Sequence, residues 1–146
     1  MTKRMIVAML ALAGIFVALY LLLYKMGIIG ELTCSVGSCE TVNTSKWATF
    51  LGLPVAAWGV AWYVATFVLA LVSTDARFAD SSVISSVLLG NAAIGWIFSL
   101  YLTWLELFRI HAICQWCVIS AIIVTIIFFL CVADYRESRQ ITPETV

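Results

Sequence analysis

The sequence predicts an all-α integral membrane protein, a bundle of four transmembrane helices with a short amphipathic lid helix in its first outer loop. Its 146 residues are 64% hydrophobic and 11% charged, against roughly 45–50% and 25% in an average soluble domain. The hydrophobic residues fall into four runs that contain no Asp, Glu, Lys or Arg: residues 6–24, 55–72, 83–105 and 113–132.

Each run is long enough to cross a membrane as a helix. The runs hold 18 to 23 residues, or about 27–35 Å at roughly 1.5 Å per residue, which spans a hydrocarbon core. A helix is expected because a backbone inside lipid must satisfy its own hydrogen bonds. Lys3 and Arg4 precede the first run as in a signal peptide, but the run is too long for one, and we expect a retained helix. We therefore predict one membrane domain over residues 1–146.

Basic residues in the short loops predict the orientation. With four crossings, both termini lie on the same side. The side of the termini carries five basic residues: Lys3, Arg4, Arg77, Arg136 and Arg139. The other side carries three: Lys25, Lys46 and Arg109. By the positive-inside rule both termini are predicted in the cytoplasm, with the chain in the inner (plasma) membrane. The zero net charge argues against a nucleic-acid partner.

The connections differ in length. Residues 25–54 form one long outer loop, in which Glu40–Phe50 has apolar residues spaced as in an amphipathic helix, the predicted lid. Residues 73–82 and 106–112 are predicted as short polar turns, and residues 134–146 as a polar tail that frays.

Four of the five cysteines form two pairs. Cys34 and Cys39 lie in the long loop, and Cys114-Gln-Trp-Cys117 begins the fourth run. Because the first and third loops share a side, both pairs face the same compartment. At a helix start the N–H groups and the dipole favour thiolate, which is the attacking species in disulfide exchange. The second cysteine of a C-x-x-C lies on the same helix face and can close a disulfide.

Other interpretations of the cysteines are possible. A zinc site typically groups two C-x-x-C pairs on soluble loops, unlike this pattern, so we expect no metal. A structural Cys34–Cys39 disulfide leaves the second pair unexplained, whereas an electron relay accounts for both pairs. Cys131 stands alone in the body of the fourth run, and we predict a packing role for it.

The remaining polar residues carry weaker signals. His111 is the only histidine; it suits proton transfer or simple solvation. Asn91 lies inside the third run, where an amide usually bonds a neighbouring helix. Glu106 and Arg109, three residues apart in the short outer loop, suit a surface ion pair.

The motifs together resemble the vitamin K epoxide reductase family in its bacterial four-helix form. The resemblance covers residues 27–132 and rests on four segments in a set order. They are Cys34-Ser-Val-Gly-Ser-Cys39-Glu-Thr-Val-Asn-Thr-Ser45-Lys-Trp47, Leu51-Gly-Leu-Pro-Val-Ala-Ala-Trp-Gly59, Ser99-Leu-Tyr101-Leu102 and Cys114-Gln-Trp-Cys117.

The resemblance implies an enzyme, a membrane thiol:quinone oxidoreductase that supports disulfide bond formation. Its thiol donor would be a thioredoxin-like extracytoplasmic protein, and its acceptor ubiquinone, menaquinone or another naphthoquinone dissolved in the membrane lipid. By position, Cys34 would be attacked by the partner, Cys39 would bond Cys114, and Cys117 would face the quinone. Ser45 and Trp47 on the lid, with Leu102, would line the quinone pocket.

Two features separate this chain from relatives and alternatives. The Cys34–Cys39 spacing is shorter than in several relatives, and Ala121 stands where some animal members carry a tyrosine, so the quinone type and inhibitor response do not carry over. The runner-up family, the disulfide bond formation protein B type, is similar but has its two cysteine pairs in the reverse order, with C-x-x-C in the first outer loop. A membrane scaffold whose disulfides only staple loops is the alternative from another class.

Overall fold

A computed structural model describes residues 2–28, 49–75, 77, 82–111 and 115–144. Its helices are α1 (Thr2–Lys25), α2 (Val55–Ser73), α3 (Ser82–Leu105), which continues directly as a π-helix (Glu106–Ile110), and α4 (Gln115–Glu144). Among these described residues, four helical stretches are long and apolar enough to cross a membrane: Lys3–Lys25, Val55–Ser73, Ser82–Ile110 and Gln115–Glu137. The predicted membrane bundle of four helices is confirmed.

A short β-hairpin precedes α2. Strands β1 (Thr49–Phe50) and β2 (Leu53–Pro54) pair antiparallel, with Phe50 opposite Leu53. The turn residues Leu51 and Gly52 both have positive φ, 53° and 82°, as a two-residue hairpin turn of type I′ requires. The end of the predicted lid helix is therefore a strand, because this tight turn needs extended residues on either side. The rest of the predicted lid lies outside the described residues.

Close packing of small residues holds the helices together. The core between the helices contains Ala8 and Ala11 of α1, Ala70 of α2 and Ala92 of α3, all buried. Small side chains let backbones approach closely, which supports helix association in lipid. Helix α1 packs mainly against α2 and α4, and α3 mainly against α4, whereas α2 and α3 contact each other only lightly. A gap is left between α2 and α3.

The outward faces of the helices are apolar. In each membrane-spanning stretch, only 17–33% of an apolar segment of 18 residues is buried inside the bundle. Large side chains such as Phe16, Ile94 and Phe129 are exposed. A soluble bundle would carry polar residues on these faces, so the exposed surface is suited to lipid contact.

A buried ion pair joins the first and last helices. Arg4 Nε donates to both carboxylate oxygens of Asp134 at 3.1 Å, and its other nitrogens donate to Ser73 O at 2.6 Å and Ser85 Oγ at 2.7 Å. The Ser85 hydroxyl in turn donates to Asp134 at 2.9 Å. The predicted tail from residue 134 is wrong at its start, because α4 continues to Glu144. Asp134 is held in the bundle because it pairs with Arg4, and a buried charge such as that of Arg4 requires a paired carboxylate.

Candidate functional site

A cavity of about 340 Å³ is lined by residues of all four helices and of the hairpin, most of them on α2 and α3. This volume lies within the range of small-molecule sites, roughly 300–1,000 Å³. Aromatic and polar groups share its wall. The aromatic ones are Phe50, Trp58, Trp62, Tyr63 and Phe98, and the polar ones are Lys25, Ser99, Thr103, Glu106, Cys117 and Ser120.

Cys117 lies in the wall of this cavity, at the third position of α4. Its side chain is half-buried in an apolar cluster with Leu21, Ile110 and Trp116. The Trp116 ring packs edge-on against Tyr20 of α1, with ring centroids 5.1 Å apart. The start of α4 is thereby held against α1, and the Cys117 sulfur is presented to the cavity.

One turn further along α4, a hydrogen bond ties the helix to α2. The Tyr63 hydroxyl lies 2.7 Å from Ser120 Oγ and donates to Ser120 O at 3.1 Å. Tyr63 can reach α4 because Gly14 of α1 makes room, since a Cβ on Gly14 would lie 2.1 Å from the tyrosine ring. Both partners line the cavity, so the bond sets the distance between its α2 and α4 walls.

The Trp62 ring packs against Gly95 of α3 and belongs to a network of three hydrogen bonds that joins α2 to α3. A Cβ on Gly95 would lie 2.2 Å from the ring. The indole N–H donates to Asn91 O at 2.9 Å, Asn91 Nδ2 donates to Thr66 Oγ1 at 2.7 Å, and Thr66 Oγ1 donates to Trp62 O at 2.9 Å. The prediction that Asn91 bonds a neighbouring helix is confirmed, and the bond positions a cavity wall.

The hairpin closes one side of the cavity. Phe50 packs edge-on against Phe98 of α3, with centroids 5.7 Å apart, and against Trp58 of α2 at 6.2 Å. The Trp58 indole N–H donates to Phe50 O at 2.9 Å. This end of the long loop is therefore fastened to both helices that flank the gap.

Glu106 is buried in the site, which the sequence analysis did not predict. Glu106 is only 7% exposed and lines the cavity. The expectation of a surface pair with Arg109 is wrong for Glu106, because the helical backbone continues beyond Leu105 as the π-helix and Glu106 is buried. Arg109 instead lies over the Trp104 ring, 5.6 Å from its centroid. An acidic residue directly after an apolar run was the only sequence signal for this position.

Of the predicted site residues, the structure brings Cys117 and Leu102 to the same cavity. Cys34, Cys39, Ser45, Trp47 and Cys114 lie outside the described residues, so their roles stay predictions, and so does the choice between zinc and relay. His111 is exposed and caps the π-helix in a left-handed conformation, φ 57°. Cys131 is buried in the core at 1% exposure, as predicted.

The sequence is similar to that of a known protein family. The model described as the vitamin K epoxide reductase family matches residues 5–132, nearly the whole chain. A comparison with curated individual proteins gives no match.

Proposed function

Because this chain belongs to the vitamin K epoxide reductase family, it is a membrane thiol–disulfide oxidoreductase, and we propose that it transfers electrons from a thiol protein to a quinone. The observation that carries the proposal is that Cys117 lines an aromatic cavity between membrane-spanning helices. A redox-active sulfur beside such a cavity is suited to an aromatic, lipid-soluble electron acceptor. Planar rings pack well against aromatic side chains.

The proposed electron path uses both cysteine pairs. A thioredoxin-like extracytoplasmic protein in its dithiol form reduces the Cys34–Cys39 disulfide and leaves with a disulfide of its own. Cys39 then exchanges with the Cys114–Cys117 disulfide, so that the latter pair becomes a dithiol. Oxidation of this dithiol returns the disulfide and reduces the quinone to a hydroquinone. Each step moves two electrons, and the net product is one disulfide in the partner.

The cavity supplies a route for a ligand dissolved in lipid. Ile94 of α3 and Trp58 of α2 both line it, and they are 68% and 37% exposed on the outside of the bundle. Phe98 and Leu102 of α3 line the same cavity as Cys117, so a quinone ring that enters between α2 and α3 can contact all three. We propose that Leu102 contacts the ring, together with Ser45 and Trp47 of the outer loop.

The proposal includes a location. Both termini lie in the cytoplasm and both cysteine pairs on the outer side of the inner (plasma) membrane, in keeping with the basic residues of the loops. Disulfides form and persist in such extracytoplasmic compartments.

The direct test is quinone reduction by the purified protein in detergent or nanodiscs, with a dithiol donor and several quinones. Ubiquinone and menaquinone analogues should be reduced at rates that differ from one another and vanish in Cys117→Ala. A scaffold with structural disulfides gives no quinone-dependent thiol oxidation above that of the Cys117→Ala control, and that result would refute the proposal.

A further inference from the structure

The two-electron reduction of a quinone also requires two protons, and the cavity contains few groups that can carry them. Among the described residues that line it, the ionisable ones are Lys25, Tyr63, Glu106 and Cys117. The Tyr63 hydroxyl is bonded to Ser120, and Cys117 is the proposed electron donor. A carboxyl group both accepts and donates a proton, whereas a lysine ammonium placed at the loop end of α1 is suited to charge stabilisation.

The backbone directs Glu106 into the site. The π-helix makes a wider turn than an α-helix, and such turns occur frequently at functional sites. Here the His111 N–H donates to Glu106 O, across five residues. Within the same turn Leu107 and Phe108 are 49% and 61% exposed while Glu106 is 7% exposed. The turn therefore sends two large apolar side chains outward and the carboxyl group inward.

Glu106 and Cys117 lie at the same end of the cavity. Ile110, at the end of the π-helix, packs in the same apolar cluster as Cys117 and also lines the cavity. Glu106 is one π-helical turn before Ile110 on the same face. Because Glu106 and Cys117 line the same cavity, an acceptor ring bound in it has both groups in its wall.

We propose that Glu106 is a catalytic residue that carries a proton between Cys117 and the quinone; this rests on the proposed function. The dithiol of Cys114 and Cys117 loses two electrons and two protons as the S–S bond forms, and the quinone gains both. Glu106 takes the proton of the Cys117 thiol and delivers it to the nearer ring oxygen. The Cys114 proton leaves to solvent on the outer side, and solvent protonates the second ring oxygen.

The test is Glu106→Gln, which keeps the shape and removes the proton carrier. Quinone reduction should fall on the order of 10²-fold, a typical contribution of general acid–base catalysis, while quinone binding changes less than about twofold. Disulfide exchange between the thiol partner and the protein should be unaffected. Glu106→Asp should recover part of the rate, with a changed solvent deuterium isotope effect. Glu137→Gln, the same substitution at an exposed site at the far end of α4, is the control and should be fully active.

The outcomes separate the inference from the proposed function. Wild-type protein that reduces no quinone overturns both. Active wild-type protein and equally active Glu106→Gln overturn the inference alone, as does an equal loss in Glu106→Gln and Glu106→Asp, since shape rather than proton transfer would then matter. If Glu106→Gln does not fold, single-turnover rates of the quinone step in Glu106→Asp decide, because an unchanged rate with the carboxyl group moved by one methylene would overturn the inference.

Discussion

The Tyr63 hydroxyl of α2 lies 2.7 Å from the Ser120 hydroxyl of α4, one helical turn beyond Cys117. The same Tyr63 hydroxyl also donates to Ser120 O at 3.1 Å. Both residues line the cavity, so these hydrogen bonds connect the cavity wall on α2 with the helix that carries Cys117.

Tyr63→Phe should weaken that connection. Loss of the bond should lower the free energy of unfolding by about 0.5–1.5 kcal/mol and reduce quinone turnover several-fold, because α4 is then less firmly held against α2. Denaturation and steady-state kinetics of Tyr63→Phe, Ser120→Ala and the double variant form a cycle. Strictly additive effects in that cycle would show that the two hydroxyl groups are not coupled.

Gly95→Ala should damage the site through Trp62. The added methyl would lie 2.2 Å from the indole ring, so the ring must move and its bond to Asn91 O must break. We expect a loss of about 1–3 kcal/mol in stability from overpacking and a several-fold higher quinone KM.

Gly90→Ala on the same helix is the matched control for Gly95→Ala. Apart from its two chain neighbours and the backbone of its own helix, no described atom lies within 4 Å of the added Cβ. Alanine is about 0.5–1 kcal/mol more favourable than glycine inside a helix. This variant should be as stable as the wild type or more so, with unchanged kinetics. Similar losses at both glycines would indicate helix distortion rather than a clash with Trp62.

Asp134→Leu should destabilise the protein by about 3–5 kcal/mol, because it leaves the Arg4 charge buried without its carboxylate. Adding Arg4→Met should recover much of that stability, which unfolding measurements in detergent can test. Glu137→Gln, which removes an exposed partner of Lys3, should change stability little. If the double variant is no more stable than Asp134→Leu, charge burial is not the cause.

Cys117→Ser should trap a disulfide between Cys39 and Cys114, since the thiol that resolves it is gone. Mass spectrometry of non-reduced digests would identify the linked peptides. Cys131→Ala should retain nearly normal turnover, because Cys131 is buried in the core and the change removes only packing. Inactive Cys131→Ala at normal protein levels would add a fifth cysteine to the redox path.

A membrane-impermeant thiol reagent added outside intact cells should label reduced Cys34 and Cys114. The parity of four crossings predicts that both lie on one side, and the loop charges predict that it is the outer side. Cys131 should stay unlabelled until the protein is denatured. Labelling of either site cysteine only after permeabilisation would reverse the proposed orientation.

The number of membrane spans and the common side of the two cysteine pairs could be predicted without tertiary structure. Four charge-free runs of 18 to 23 residues were enough to predict four spans, because the rise per residue of an α-helix and the thickness of the hydrocarbon core are both fixed. An even number of crossings also predicts that the two cysteine pairs face one compartment. Cys117 and Leu102, predicted from motifs more than a dozen residues apart, lie in one cavity wall.

Only the tertiary structure decided which polar residues at the run ends turn inward. Glu106 directly follows an apolar run and Asp134 follows another after Ala133. They were predicted in a turn and a tail, yet both are buried. Burial of a carboxyl group depends on partners that hydropathy along the chain does not reveal; for Asp134 the partner is Arg4, 130 positions away. The cavity likewise arises from light contact between α2 and α3, a property of side-chain packing between helices rather than of either helix alone.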